Sequence, residues 1–147
     1  MTQRYWDSNA FLGWLAEEAD KVEECRAVIR AAEEGKTLLI TSALTVTEVL
    51  WLRGEPRIAA ENAEKVQRFF EHQYIVVNDL DRRIAEAAQR LVWHHDIKPK
   101  DAIHVASAID AGVDRMETFD EGLLKKSGSV GEPPLEIGRP NEPGTLF

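Results

Sequence analysis

Four acidic residues that are far apart in the chain could act together on a phosphate group. Asp7, Glu48, Asp101 and Asp120 each lie where a strand or a helix is predicted to begin or end. Carboxylates brought close together repel one another, so such a cluster is stable only with a cation or with raised pKa values. Mg²⁺ and Mn²⁺ prefer oxygen ligands. These residue types therefore indicate metal-dependent hydrolysis of a phosphodiester bond.

The predicted elements decide whether these acids can meet. Short apolar and β-branched segments predict strands, and apolar residues at helical spacing predict helices. The predicted strands are residues 4–7, 37–41, 74–77, 115–118 and, at an edge, 135–137, and the predicted helices are 9–18, 21–34, 45–52, 58–72, 81–95, 100–111 and 121–126. This alternation predicts an α/β fold: a three-layer α/β/α sandwich with a mainly parallel sheet of four to five strands.

The carboxyl edge of that sheet is where ligands of open α/β folds bind. Asp7 ends the first strand, Glu48 is expected in the first turn of the helix after the second, and Asp120 follows the last core strand. Asp101 begins a helix that must run antiparallel to the strand after it, which places it at the same edge. All four acids are therefore predicted on one rim.

Each acid also has a simpler structural explanation. Asp7 and Asp120 could be helix N-caps. Thr45 and Glu48 fit a capping box, in which the glutamate reaches back to a backbone amide. Asp101 stands at a helix start, where the macrodipole favours any acid. These explanations do not account for all four lying at one edge, and that convergence favours the metal site.

Composition limits the other classes of function. The chain has 147 residues, the length of one domain, and its net charge of −8 argues against a purely electrostatic nucleic-acid binder. Its one cysteine, Cys25, allows no intrachain disulfide, is expected to pack in the interior, and favours a reducing, cytoplasmic location. No segment is apolar and long enough to predict a membrane span or a signal peptide. We expect residues 1–137 to form the domain and 138–147 a loose tail.

Histidines and cations are weaker candidates than the acids. His94, His95 and His104 lack the spacing of a zinc site, so surface or partly buried roles are favoured. Three cationic residues could contact RNA phosphate or simply lie on the surface, and these are Lys98, Lys100 and Arg53.

Four segments together resemble the PIN-domain family, and especially the VapC-type toxin ribonucleases of toxin–antitoxin pairs. The segments are Tyr-Trp-Asp-Ser-Asn at 5–9, Ser-Ala-Leu-Thr-Val-Thr-Glu-Val at 42–49, Lys-Asp-Ala-Ile-His-Val-Ala-Ser-Ala at 100–108 and Glu-Thr-Phe-Asp at 117–120. Their order is that of the family, namely an acid ending the first strand, a glutamate after the second, an Asp-Ala helix and an acid after the fourth strand. The resemblance covers roughly residues 3 to 137.

The resemblance implies a metal-dependent endoribonuclease with a PIN-like fold, acting on single-stranded RNA. It implies that Asp7, Glu48, Asp101 and Asp120 hold Mg²⁺ or Mn²⁺. It further implies an antitoxin partner and a homodimer, and it implies that Ser8, Asn9, Ser42 and Thr118 orient the acids or water.

Two features depart from the family pattern or leave a choice open. Glu121 follows Asp120 directly, so either could fill the fourth acidic position, and the chain after Lys126 is longer and richer in Gly and Pro than a minimal toxin. Apolar residues on and near the first helix could be core, or could form a groove for an antitoxin helix or a dimer interface; they are Phe11, Leu12, Trp14, Leu15 and Trp51.

Two alternatives come from other classes of protein. The chain could be a catalytically silent PIN-like module that only binds RNA or protein. It could also be a phosphate-accepting α/β domain with Asp7 as the nucleophile. Haloacid-dehalogenase-like enzymes have a second Asp where this chain has Asn9, and receiver domains have an acid pair near the first strand. Asp79 could mimic the third-strand acid of a receiver domain, but Asp7 has no neighbouring acid.

Overall fold

A parallel five-stranded sheet forms the centre of the molecule. The computed structural model describes residues 1–52, 55–56 and 58–141. In chain order the elements are β1 (Thr2–Trp6), α1 (Ser8–Leu15), α2 (Val22–Glu33), β2 (Thr37–Ser42), α3 (Ala43–Glu48), β3 (Trp51–Leu52), β4 (Glu55–Pro56), a 3₁₀ turn (Ala60–Asn62), α4 (Ala63–Phe69), β5 (Ile75–Asn78), α5 (Arg82–His95), α6 (Pro99–Ala111), β6 (Arg115–Glu117), α7 (Glu121–Leu124) and β7 (Ile137–Gly138). The strand order is β5-β2-β1-β6-β7, and every neighbouring pair in it is parallel.

Helices cover both faces of this sheet, so both faces of its strands are apolar. Tyr5 and Ile40 point to the side where α5 and α6 pack. Their strand neighbours Trp6 and Leu39 point to the opposite side, against α1 and α2. This alternation of side chains along β1 and β2 produces two hydrophobic cores. The predicted α/β fold with a parallel sheet flanked by helices is confirmed.

The region after β2 differs from the prediction. A helix was expected over residues 45–52, but α3 begins at Ala43 and ends at Glu48. The Ser42 hydroxyl caps it by accepting a hydrogen bond from the Leu44 amide at 3.1 Å. The predicted start was therefore too late, and Glu48 lies in the last turn of the helix rather than the first. Trp51–Leu52 and Glu55–Pro56 instead form an antiparallel pair, and Arg53 lies outside the described residues.

The helix expected over residues 58–72 is also shorter. Ala59 has an extended backbone, with φ −60° and ψ 144°, so helical geometry cannot extend back through it to Ile58. The 3₁₀ turn and α4 together cover only residues 60–69. The remaining predicted helices are present with shifted ends, and no helix in the described part of the chain is long and apolar enough to cross a membrane.

The first residues of the expected tail contact the domain. Gly138 completes β7, the edge strand expected at 135–137. The Arg139 guanidinium pairs with Glu24 at 2.6 Å, and the Asn141 side-chain oxygen accepts a hydrogen bond from Arg4 at 3.0 Å. The rest of that expected tail, residues 142–147, lies outside the described residues.

Candidate active site

Asp7 is held by both of its carboxylate oxygens at the junction of β1 and α1. Oδ1 accepts a hydrogen bond from the Ala10 amide at 3.0 Å and so caps α1, as an N-cap aspartate does. Oδ2 accepts a hydrogen bond from the Thr118 hydroxyl at 2.5 Å. The residue is only 2% exposed, and its burial raises the pKa of the carboxyl group above the usual value. The simple N-cap explanation of Asp7 is therefore correct, but the cap, the Thr118 hydroxyl and the charge of His104 do not outweigh the effect of burial on the pKa.

Glu48 reaches the same edge from the end of α3. Its Oε1 accepts a hydrogen bond from the Ser8 hydroxyl at 2.7 Å and lies 2.8 Å from His104 Nε2. Burial acts to raise the pKa of Glu48, but these two hydrogen bonds and the nearby charge of Lys100 outweigh it, so the pKa is lowered. The carboxylate therefore stays ionised and is not used in the capping box that its spacing from Thr45 suggested.

Asp101 stands in the first turn of α6, as predicted, and is half-buried. Burial, followed by the charges of Asp120 and Asp7, raises the pKa of its carboxyl group to about 6. Within the part of the chain that is described, Asp101 forms no side-chain hydrogen bond. Besides burial, the main influence on the pKa of Asp101 is therefore the negative charge of neighbouring acids.

Asp120 completes the cluster from the start of α7. Its Oδ2 accepts a hydrogen bond from the Leu123 amide at 2.9 Å, and its own amide donates to the Thr118 hydroxyl at 3.1 Å. Its charge acts on both Asp7 and Asp101. Glu121 is exposed and instead acts on the charge of Arg139. The structure thus brings the four predicted acids together and leaves Glu121 aside.

The side chains expected to orient the acids divide into two pairs. Ser8 and Thr118 do contact acids, at Glu48 and Asp7. Ser42 caps α3 instead. Asn9 forms no side-chain hydrogen bond with any described residue. Thr118 is the most connected of them, because its hydroxyl donates to Asp7 and accepts from the amide of Asp120.

Two residues of this site were missed by the sequence analysis. His104, expected at the surface or partly buried, is 2% exposed and links Glu48 to the Tyr5 hydroxyl, which lies 2.7 Å from its Nδ1. The signal was available, because His104 follows Asp101 by three residues and so shares its helix face. His94 and His95, at the end of α5, form no side-chain contact with the four acids.

The apolar residues suggested for a partner groove are mostly interior. Phe11 and Leu12 are fully buried in the core, and Trp14 and Leu15 pack partly buried against it. Trp51, in contrast, is 53% exposed. Val46 on α3 is also exposed, so the outer side of the segment around Glu48 presents two large apolar side chains to solvent. Cys25 is buried as expected.

The donor set fits a hard divalent cation. All four groups are carboxylates, and mutual repulsion raises the pKa of at least one of them. Among residues 1–52, 55–56 and 58–141, no three ligand side chains already lie close enough to enclose an ion. Mg²⁺ needs no such cage, because it keeps several waters and is commonly bound through one or two carboxylates together with substrate phosphate.

A cavity of about 450 Å³ opens beside two of the acids. Asp101 and Asp120 line one part of it, and Lys98, Lys125 and Lys126 line another. The Lys126 ammonium donates to the His95 carbonyl at 2.6 Å, whereas Lys98 and Lys125 form no ion pair with any residue that the structure describes. Negative and positive groups therefore face one open space.

A parallel α/β sheet with four acids converging at its carboxyl edge defines a class of site suited to cations and phosphate. The chain belongs to the PIN-domain family, whose sequence profile matches residues 4–128. No curated protein matches the chain significantly.

Two solved structures with a similar fold are described as a toxin and as a toxin–antitoxin complex. VapC20 of Mycobacterium tuberculosis, described as a sarcin-ricin loop cleaving toxin, has a TM-score of 0.65 and 16% identity over 80% of this chain and 90% of its own. A toxin–antitoxin complex from Klebsiella pneumoniae has a TM-score of 0.62 and 18% identity over 95% of this chain and 98% of its own. At these identities the similarity shows the fold.

Proposed function

We propose that this protein is a metal-dependent endoribonuclease in which Asp7, Glu48, Asp101 and Asp120 hold Mg²⁺ or Mn²⁺. The observation that carries the proposal is the convergence of these four acids from four separate segments. Their environments separate their pKa values: the pKa of Glu48 is lowered, and those of Asp7 and Asp101 are raised. Divergent pKa values among neighbouring acids are typical of active sites.

The side chains of this protein would fix the acids in place before RNA binds. Thr118 and the Ala10 amide hold the two oxygens of Asp7, and Ser8 holds Glu48. When bound, the cation would lower the pKa of a water molecule and neutralise charge on the phosphate. Hydrolysis joins the water oxygen to phosphorus and breaks the bond to the 3′ oxygen, leaving a 5′-phosphate and a 3′-hydroxyl.

The lysine-lined cavity would receive the RNA backbone next to the scissile bond. Lys98 and Lys125 are exposed at its rim, and an ammonium group there would neutralise a flanking phosphate. This arrangement explains how a protein with net charge −8 could bind RNA. The positive charge would be local, supplied by these lysines, by Lys100 near Glu48 and by the cation.

A cleavage assay tests the nuclease proposal directly. Mixed single-stranded RNA would be incubated with the protein and Mg²⁺, Mn²⁺ or EDTA, and wild type compared with Asp7→Asn. We expect cutting with either metal, none with EDTA, and a loss of more than about 100-fold in Asp7→Asn, since even residues that only support a metal ligand contribute about 10–100-fold. Lys65→Ala, on the exposed surface of α4, serves as the control.

The same assay decides between the nuclease and a silent binding module. RNA binding by the folded, metal-supplied wild type without any cutting would contradict the nuclease proposal and favour a PIN-like module that only binds. Cutting that survives in Asp7→Asn would contradict the assignment of Asp7. The proposed location is the cytoplasm, where a single unpaired thiol such as that of Cys25 stays reduced.

We further propose that the protein is the toxin of a toxin–antitoxin pair. A structure of similar fold is a toxin–antitoxin complex, and exposed Val46 and Trp51 offer apolar contacts close to Glu48. Co-expression with the product of the neighbouring gene, followed by pull-down, should recover a complex. Trp51→Ser should weaken that complex, and Trp93→Ser, at an exposed tryptophan on a different helix, α5, should not. No binding from the neighbouring product would count against the pair.

A homodimer is part of the same proposal. Large exposed apolar side chains are often covered by a second subunit, and Trp93 on α5 is 79% exposed. Light scattering after size-exclusion chromatography should give a mass of twice 16.6 kDa. A mass of one chain at micromolar concentration would contradict it.

A further inference from the structure

A chain of hydrogen bonds runs from the core of the sheet to one oxygen of Glu48. The Tyr5 hydroxyl lies 2.7 Å from His104 Nδ1, and His104 Nε2 lies 2.8 Å from Glu48 Oε1. The Ser8 hydroxyl donates to the same Oε1 at 2.7 Å. Both hydrogen bonds to Glu48 therefore end on one oxygen, and within the described residues Oε2 accepts none.

The direction of the His104–Glu48 hydrogen bond follows from its chemistry. A carboxylate carries no proton and can only accept hydrogen bonds, and Oε1 of Glu48 already accepts one from the Ser8 hydroxyl. His104 Nε2 must then carry a proton, whether the ring is neutral or charged. The lone pair that a histidine would need to bind a metal through Nε2 is absent, and Nδ1 is occupied by the Tyr5 hydroxyl. His104 is thus placed as a donor to Glu48.

The ring has little freedom to leave this position. His104 is 2% exposed, and its ring packs edge-on against that of Tyr5, with centroids 5.8 Å apart and an angle of 62°. The Tyr5 hydroxyl is itself buried and lies at hydrogen-bond distance from Nδ1, to which it can donate its proton. The same helix, α6, carries Asp101 three residues earlier. One turn of α6 therefore supplies one acid and holds another.

We propose that His104 is a positioning residue that holds Glu48 by Oε1 so that Oε2 is presented to the divalent cation. This inference rests on the proposed nuclease function and goes beyond it, because it assigns a role to a residue that binds neither metal nor RNA. It also predicts that loss of His104 weakens metal binding more than loss of the Tyr5 hydroxyl does. His104 supports Glu48 directly, whereas Tyr5 acts only by orienting the imidazole.

Three variants of wild-type size separate positioning from simple packing. His104→Leu fills the space without a donor, and His104→Gln keeps an amide N–H that can reach Glu48. Thr37→Val is the matched control, because Thr37 is buried at the start of β2, away from the carboxyl edge, and its hydroxyl hydrogen-bonds Thr2 rather than any residue of the site. Mn²⁺ affinity would be measured by calorimetry on each folded variant, alongside RNA cleavage.

We expect His104→Leu to weaken Mn²⁺ binding by about 10–100-fold, the usual effect of removing a group that orients a metal ligand. His104→Gln should recover most of that loss, and Thr37→Val should bind Mn²⁺ as wild type does. Mn²⁺ affinity in His104→Leu equal to wild type would overturn the proposal, as would a His104→Gln variant as weak as His104→Leu. If His104→Leu fails to fold, Ser8→Ala removes the other donor to Oε1 of Glu48, and its Mn²⁺ affinity should also be lower than that of wild type.

A measurement on the unmodified protein requires no metal. Nitrogen-15 NMR of the imidazole should show a proton on Nε2 of His104, and a ring carrying its proton only on Nδ1 would overturn the proposal. Failure of the proposed function itself is recognised separately, by a wild type that neither binds Mn²⁺ nor cleaves RNA. A wild type that does both, beside a His104→Leu variant that also does both, contradicts the positioning role alone.

Discussion

Two groups of buried charges lie on the same two strands, and they are built in opposite ways. Arg4 on β1 and Arg115 and Glu117 on β6 form one group, all buried within the sheet. The other group begins just beyond the ends of these strands, at Asp7 and Asp120. In the first group the opposite charges face one another. In the second, the charges have the same sign.

The Glu117 cluster supplies its own counter-charges. Glu117 pairs with Arg4, lies 3.2 Å from Arg115 Nε, and accepts a hydrogen bond from the Trp6 indole at 2.8 Å. Burial pushes the pKa of Glu117 upward, and the two guanidinium groups act in the opposite direction. At Asp7 the opposing charge is that of His104 alone among the causes that shift its pKa, and the negative charge of Asp120 adds to the effect of burial.

This difference suggests that the two groups have different roles, although they lie on or directly after the same two strands. A buried charge whose partners are part of the chain contributes to the uniqueness of the fold. A buried charge without such partners destabilises the fold and persists where a ligand supplies the missing charge. Glu117 and Asp7 are both buried acids, but arginines face Glu117, whereas the proposed cation would supply the missing positive charge at Asp7.

The largest effect is expected from Glu117→Gln. The substitution leaves two buried guanidinium groups without their counter-charge, which should lower the free energy of unfolding by about 3–5 kcal/mol. Urea denaturation would measure it. Glu136→Gln is the control, since Glu136 also pairs with Arg115 but is 57% exposed, and it should change stability by less than about 0.5 kcal/mol. Equal stability of the two variants would contradict the inference that the buried ion pairs of Glu117 stabilise the fold.

Asp7→Asn should behave in the opposite way to Glu117→Gln. The amide oxygen of asparagine still caps α1, and the buried negative charge is gone, so the metal-free variant should be at least as stable as wild type. Mn²⁺ should raise the melting temperature of wild type and not of the variant, because only a bound ligand stabilises the folded state. Thermal melts with and without Mn²⁺ check both points. A variant as unstable as Glu117→Gln would show that Asp7 is structural.

The pH dependence of the metal-free protein should follow Asp101. Its folded pKa of about 6 lies above the unfolded value, which is about 3.9. The unfolded chain therefore releases this proton first as the pH rises, so the contribution to stability falls between about pH 4 and pH 6 and is constant above. The change should be small, because the group is half exposed and solvent screens it.

Melts across this range would detect that slope, and Asp101→Asn should flatten it. Mn²⁺ affinity should change in the other direction, weakening as the pH falls below 6, because the cation needs the carboxylate. An affinity that is constant from pH 7 to pH 5 would remove Asp101 from the set of ligands.

A smaller effect is expected at the cavity lysines. Lys98→Ala, in an Asp7→Asn background that binds without cutting, should lower the slope of log affinity against log salt by about 0.7–1. Filter binding of single-stranded RNA at several salt concentrations would measure it, with Lys65→Ala as the control. Identical slopes for the two lysine variants would show that the cavity does not contact phosphate.

The smallest effect is expected at Glu121. Because this side chain is exposed and its charge acts on Arg139 rather than on the acids, Glu121→Gln should cleave RNA within about twofold of wild type, as distant surface substitutions usually do. Asp120→Asn should lose most activity in the same assay. A stronger loss in Glu121→Gln than in Asp120→Asn would reverse the assignment of the fourth acid.

The order of elements and the meeting of four acids could be predicted because both follow from local patterns. Asp7, Asp101 and Asp120 lie at element boundaries that the sequence marks with apolar runs and helix starts. Glu48 was placed at the right edge but in the wrong turn, because Ser42 competes with Thr45 as the N-cap and only tertiary packing selects between them.

Other parts of the site depended on distant contacts and could not be predicted. The hydrogen bond from Tyr5 to His104 spans 99 residues and that from His104 to Glu48 spans 56. The pairing of Glu117 with Arg4 joins residues 113 apart. The spacing of three residues between Asp101 and His104 marks a shared helix face, but no local pattern shows that this histidine donates to Glu48 rather than packing in the core.

Asp7 and Asp120 cap helices, whereas Asp101 forms no hydrogen bond within the described residues. A relative that lost the activity would still be under pressure to keep a capping residue, Asp or Asn, at the first two positions, since loss of an N-cap costs about 1 kcal/mol. It would gain stability by replacing Asp101 with a neutral residue, because that removes repulsion. An acid at position 101 is therefore the most informative marker for distinguishing relatives that keep the proposed nuclease activity from relatives that have lost it.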